Sequence, residues 1–193
     1  AVAIVSRSQS RPTVEVTWDG LRDAVARCRA GLVARGVERG DRVAAYLPNI
    51  HETIVAFLAT ASLGAVWSSC APEFGVRAVV DRWSQLEPTV LFAIDGYRYG
   101  GRDIDRRHEL DEIVASLPSV QHVVRLPYLD HEPHPPDATT VSWSSWDDCL
   151  ASEAPLTFEQ VPADHPLYVL FSSGTTGLPK PIVHGHGGIT VEH

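Results

Sequence analysis

Residues 40–70 read GDRVAAYLPNIHETIVAFLATASLGAVWSSC, and the succession of patterns within them decides the class of fold. Arg42–Leu47 is a short, mostly apolar run, as expected of a strand buried on both faces. Asn49-Ile50-His51-Glu52 has the spacing of a capping box, with Asn49 accepting the amide three residues on and Glu52 reaching back. Ile54, Phe57, Leu58 and Ala61 then recur at helical spacing and predict one apolar face that ends at Gly64. AVWSS, residues 65–69, resumes the strand pattern. A strand, a helix and a strand in immediate succession form a βαβ unit, whose two strands lie parallel.

The same alternation extends in both directions. Upstream, Ala1–Val5 predicts a strand, and Leu21, Val25, Cys28 and Leu32 predict a helix closed by Gly36. Downstream, Pro72 and Gly75 lead into a helix over Val76–Leu86 that Pro88 closes, and Thr89–Ile94 predicts the next strand. Gly96–Arg102 (GYRYGGR) reads as a loop. Leu110, Ile113 and Leu117 carry helical spacing through 104–117, and Val120–Leu126 reads as a strand. Residues 127–142 hold four of the fourteen prolines and predict a surface loop. Trp143–Ala151 reads as a short helix, and Leu167–Phe171 as the last strand. The expected fold class is α/β, layered α/β/α, with a mainly parallel sheet.

Composition sets the outer bounds. At 193 residues and 44% hydrophobic, the chain can bury a real core. No run reaches the roughly 18 consecutive apolar residues of a membrane span, and AVAIVSRSQS lacks the form of a secretory signal. Cys28, Cys70 and Cys149 are far apart and without CxxC spacing, against a disulfide framework or a zinc site. A reducing, cytoplasmic setting is the expectation. A net charge of −8 disfavours nonspecific nucleic-acid binding, which needs clustered positive charge. The chain contains no Met, opens directly in a strand pattern and stops in what reads as the first turn of a helix. Both ends therefore predict a piece of a longer protein.

The last strand feeds into FSSGTTGLPK, residues 171–180, which holds the single Lys of a chain with fifteen Arg. Gly174 and Gly177 allow torsions by which successive N–H groups converge on an anion. Ser172, Ser173, Thr175 and Thr176 add hydroxyl donors, and Lys180 adds a point charge suited to phosphate or carboxylate. Such a loop after a parallel strand lies where open α/β sheets bind ligands. The Walker P-loop is excluded by spacing, because Leu178 and Pro179 separate Gly177 from the lysine. The competing structural reading is an ordinary polar turn between two strands.

SSGTTGLPK is similar to the phosphate-binding signature of the AMP-forming acyl-CoA synthetases and other adenylate-forming enzymes. GDRVAAYLPNI, ATASLGAVWSSCAPEFGVRAVVDRWSQLEP, DGYRYGGRDID and LFSSGTTGLPKPIVHGHGGI extend the resemblance over nearly the whole chain, most weakly at 127–142. Such enzymes have a large N-terminal domain and a small mobile C-terminal one. The resemblance implies that residues 1–193 are part of the large domain, that the C-terminal domain is absent, and that the fragment alone is inactive. It also implies the substrates: ATP with Mg²⁺, a short carboxylic acid and coenzyme A. The acid's carboxylate attacks the α-phosphorus, and the CoA thiol then displaces AMP from the acyl carbon. Both nucleophiles belong to substrates, so the protein has to stabilise charge and needs no nucleophilic side chain.

By that resemblance Ser172, Ser173, Gly174, Thr175, Thr176, Gly177 and Lys180 bind the nucleotide, with Lys180 on the triphosphate as the catalytic group. Arg98 and Arg102 correspond to a loop that holds CoA phosphates in acetyl-CoA synthetases, where the two arginines are three apart; here they are four apart. Solvated surface arginines are the alternative. Pro181 stands where relatives usually carry Gly or Ala, and removes a backbone donor. His184 and His186 lack a third metal ligand nearby and read as structural or pocket-lining. Cys70 reads as a packed thiol, and Trp18, Trp83, Trp143 and Trp146 as packing residues. Two alternatives remain open: a phosphate-binding module without catalysis, and adenylation of another short acid.

Overall fold

The computed structural model describes residues 1–129, 140–172 and 177–192. β1 (Val2–Ser6) and β2 (Val14–Thr17) form an antiparallel hairpin that delivers the chain into α1 (Trp18–Ala34). The Thr17 hydroxyl caps this helix by accepting the Gly20 amide at 3.1 Å. Leu21, Val25, Cys28 and Leu32 form its buried stripe, as their spacing predicts. Then come β3 (Arg42–Tyr46), α2 (His51–Ser62), β4 (Val66–Cys70), α3 (Val76–Leu86) and β5 (Val90–Ile94). β3 and β4 pair in parallel from Arg42 opposite Val66 to Tyr46 opposite Cys70. The central βαβ unit is therefore as read.

The remaining elements are the hairpin β6 (Gly96–Tyr99) and β7 (Arg102–Asp105), α4 (Arg107–Ala115), β8 (His122–Leu126), β9 (Ser142–Ser145), α5 (Trp146–Cys149), β10 (Pro166–Ser172), β11 (Lys180–Gly185) and α6 (His186–Glu192). Seven strands form one sheet in the order β11-β10-β4-β3-β5-β8-β9. All neighbours are parallel except β10 and β11.

Alternation along the strands divides the core in two. Val43, Ala45, Trp67, Phe92 and Val124 face α1, α2 and α5. Ala44, Tyr46, Leu91, Ala93 and Val123 face α3 and α4. Helices thus cover both faces, which is why the central strands are apolar throughout instead of alternating with polar residues.

Several local expectations give way to tertiary contacts. α2 starts at His51 with Ile50 as its N-cap and no side-chain cap. Glu52 is committed elsewhere, to Arg11 at 2.6 Å; a capping box forms instead at Ser145 and Asp148. Val55, Ala56 and Ala59 are the fully buried apolar residues of α2, while Ile54, Phe57, Leu58 and Ala61 are half-buried. Helical spacing located the helix but placed its deepest face one residue off. Residues 96–102 are not an open loop: Gly100 and Gly101, at φ +57° and +77°, make the two-residue turn that right-twisted hairpins favour. Because β7 consumes residues 102–105, α4 begins at Arg107. Trp143 is in β9, and only the single turn of α5 is helical. Trp18 is 52% exposed, so it does not pack as expected, whereas Trp83 is fully buried. Of the Pro-rich segment, residues 130–139 lie outside the described residues.

Candidate active site

Parallel strands bring their carboxyl ends to one edge of the sheet. Tyr46, Cys70, Ile94, Leu126 and Ser172 end β3, β4, β5, β8 and β10 there. The chain passes from β3 to β4 on one side and then crosses to β5 on the other, so the strand order reverses at β3. Ligands of open α/β sheets bind outside such a reversal. The segment leaving β10 and the β6–β7 hairpin leaving β5 both start on this edge. They are three strand spacings apart, roughly 14 Å at about 4.8 Å per spacing.

Lys180 is the first residue of β11 and stands opposite Ser172, so both side chains project from the same face of the β10–β11 ribbon. Lys180 is exposed and, among the described residues, forms no ion pair. Its charge is available to a ligand. Pro181 sits opposite Phe171 on the outermost strand, a position where the missing N–H is tolerated. Gly177 adopts φ +134°, a torsion that favours glycine. Ser173, Gly174, Thr175 and Thr176 lie outside the described residues. The carbonyl of Pro179 accepts a hydrogen bond from the Gln85 side chain at 2.9 Å. No local pattern marks Gln85, because its partner is 94 residues away.

The hairpin separates the two arginines. Arg98 stands opposite Asp103 and Arg102 opposite Tyr99, which puts Arg98 and Arg102 on opposite faces of the ribbon. Arg98 donates through Nε to Asp103 Oδ1 at 2.6 Å and through Nη2 to Oδ2 at 3.0 Å. That bidentate hydrogen bond raises the guanidinium pKa further. Beside the hairpin, buried Asp95 accepts the amides of Tyr128 at 2.7 Å and Leu129 at 2.9 Å, tying the exit of β8 to the exit of β5. Arg11 donates to Glu52 and to the Pro127 carbonyl at 2.7 Å, and lies 4.6 Å from the centre of the Tyr128 ring. These links order the carboxyl edge, and only the three-dimensional arrangement discloses them.

Other candidates resolve into structural roles. Burial pushes the Cys70 thiol up to about 12, so at neutral pH it is a protonated packing group. Tyr46, also raised to about 12 by burial, donates its hydroxyl to the carbonyls of Pro72 at 2.8 Å and Phe74 at 2.7 Å. His184 packs on Tyr168 with ring centres 4.9 Å apart. His186 opens α6 just past the far end of β11 from Lys180, about 20 Å away along an extended strand. There it lines an apolar groove of about 390 Å³ with Trp18, Leu21, Leu58 and Phe158; burial, then neighbouring His165, lower its pKa. Among the described residues, no helix is long and apolar enough to cross a membrane.

Comparison with known proteins places this edge in context. The chain is 43% identical to the acetoacetyl-CoA synthetase of Mus musculus over 196 residues, covering 98% of the chain and 29% of that protein. It is 43% identical to the acetoacetyl-coenzyme A synthetase of Rhizobium meliloti over 194 residues, with 99% and 29% coverage. A malonamoyl-CoA synthetase of Penicillium aethiopicum is 39% identical over 200 residues. The solved structure of acetoacetyl-CoA synthetase from Streptomyces lividans superposes with a TM-score of 0.90 at 50% identity, over 97% of this chain and 28% of that one. The chain thus spans about three-tenths of the length of these relatives. The family model described as AMP-binding enzyme matches residues 1–192, and with a doubly covered, mainly parallel sheet, the chain belongs to the AMP-binding enzyme family.

Proposed function

We propose that this chain forms part of the large N-terminal domain of an AMP-forming acetoacetate–CoA ligase. The activity is that of the complete polypeptide, with a small C-terminal domain outside residues 1–193. The acetoacetate carboxylate attacks the α-phosphorus of Mg²⁺-ATP, forming the acyl-adenylate and releasing pyrophosphate. The CoA thiol then attacks the acyl carbon, forms the thioester and releases AMP. The observation that carries the proposal is Lys180, exposed and without an ion-pair partner among the described residues, at the end of SSGTTGLPK on the ligand-binding edge. A fixed cation there stabilises the negative charge that builds on the phosphate oxygens during adenylation. Ser172, Ser173, Gly174, Thr175, Thr176 and Gly177 supply the remaining donors of the loop. Arg98 serves CoA from the hairpin, and Arg102, on the ribbon's other face, is the weaker of the two candidates. The cytoplasm is the proposed compartment.

Acetoacetate leads as substrate because acetoacetyl-CoA synthetases recur among the relatives at 42–43% identity. The test is acid-dependent exchange of labelled pyrophosphate into ATP by the complete polypeptide, with acetoacetate, acetate, malonamate and longer acids compared. Highest kcat/KM with acetoacetate supports the proposal. Preference for another acid corrects the substrate, and ATP binding with no exchange for any acid replaces the ligase with a phosphate-binding module.

A further inference from the structure

Two prolines flank Lys180, and neither Pro179 nor Pro181 has a backbone N–H to donate. The lysine opens a strand with a single neighbour in the sheet, β10. Beyond its pairing with Ser172, its position depends on the flanking carbonyls, and among the described residues that of Pro179 is held by another element.

We propose that Gln85 is a positioning residue for ATP: its side-chain amide holds the Pro179 carbonyl and thereby fixes the backbone from which Lys180 projects. This rests on the assignment of Lys180 to the triphosphate. Nε2 of Gln85 has two hydrogens and places both, one on the Asp81 carbonyl of its own helix at 2.8 Å and the other on Pro179 at 2.9 Å. The first bond fixes the rotamer, so the second forms with little further loss of side-chain freedom.

The helix that carries Gln85 is itself firmly held. Val79 and Trp83 of α3 are fully buried. At its end, Arg42 of β3 donates to the carbonyls of Leu86 at 3.0 Å and Glu87 at 2.9 Å, and the Glu87 amide donates to Trp83 at 2.8 Å. A continuous set of contacts thus runs from the central strand through Arg42, the end of α3 and Gln85 to the residue preceding the lysine. Phe171, Pro181 and Gln85 line one shared cavity of about 380 Å³, so α3 and the β10–β11 ribbon are neighbours along this route.

The experiment replaces Gln85 in the complete polypeptide with methionine, which is close in length, favours helix and has no donor. A neutral hydrogen bond contributes about 0.5–1.5 kcal/mol, so KM for ATP in pyrophosphate exchange is expected to rise roughly two- to twelvefold. KM for the acid changes less than twofold and the thermal midpoint stays where it was. Deuterium uptake quickens in residues 177–183 and is unchanged in residues 76–84. An unchanged KM for ATP overturns the inference, as does equal damage to both substrates with faster uptake throughout α3, which marks general loosening. Lys180→Ala separates the two levels. If it leaves KM for ATP unaltered, the assignment of the lysine fails and this inference with it; if it raises KM and Gln85→Met does not, the inference alone fails.

Discussion

Gly31 in α1 gives the sharpest test of how the layers fit, because two effects of known sign oppose each other there. Within a 17-residue helix, Gly→Ala ordinarily stabilises by up to about 1 kcal/mol. Here the added Cβ would lie 2.0 Å from the Cys149 carbonyl oxygen, 2.7 Å from its Sγ and 2.9 Å from its carbonyl carbon. Two of these three atoms are backbone, so no rotamer change relieves the clash. α5 has to withdraw from 2.0 Å to the 3.4 Å of ordinary contact. That opens a seam in which Cys28 and Cys149 are both completely buried and loosens Trp146 from Phe92, 5.9 Å away between ring centres. Overpacking costs about 1–3 kcal/mol, and a backbone obstacle puts this site at the upper end. Net destabilisation of about 2 kcal/mol follows, a fall in thermal midpoint of roughly 4–8 °C for a chain of this size. Unfolding followed by tryptophan fluorescence measures it. Gly188→Ala, with open space around the new methyl, is the control and should be neutral or slightly stabilising. A Gly31→Ala chain as stable as its parent would mean that α5 is not seated on α1.

Further outcomes follow from the carboxyl edge. Glu52 is 6% exposed and its partner Arg11 only partly shielded, so Glu52→Ala should cost about 1–3 kcal/mol in urea unfolding. Glu52→Gln, which keeps an acceptor for Arg11, should cost less; equal stability of all three chains would remove the ion pair from the account. Arg98→Glu in the complete polypeptide should raise KM for CoA while leaving pyrophosphate exchange intact. Equal loss in both half-reactions would refute its assignment to CoA.

The parts of the fold legible in sequence were those where burial repeats with the period of the backbone. Residues 40–70 gave the βαβ unit, and Pro72, Gly75 and Pro88 bounded α3 at Val76 and Leu86, as found. Misreadings arose where two signals competed. Asn49 and Glu52 have capping-box spacing, but an arginine 41 residues upstream takes the carboxylate. Tyr-Arg-Tyr-Gly-Gly-Arg carries a hairpin signal in its Gly-Gly pair, and the same glycines equally suit the loop expected there. β9 is four residues long and depends on pairing with β8, which nothing local specifies. At the candidate site, the lone lysine was visible as an exception in an arginine-rich chain, and its neighbour Ser172 came with the motif. Gln85 was not visible, since its role depends on a helix and a turn meeting across the sheet.

The proposed grip of Lys180 on the phosphates of ATP is tested by pyrophosphate exchange in the Lys180→Ala complete polypeptide. Loss of one charge-stabilising donor removes about 2–4 kcal/mol of transition-state stabilisation, so kcat/KM for ATP should fall roughly 30- to 1,000-fold with the thermal midpoint preserved. A variant that exchanges pyrophosphate within threefold of its parent would contradict the claim.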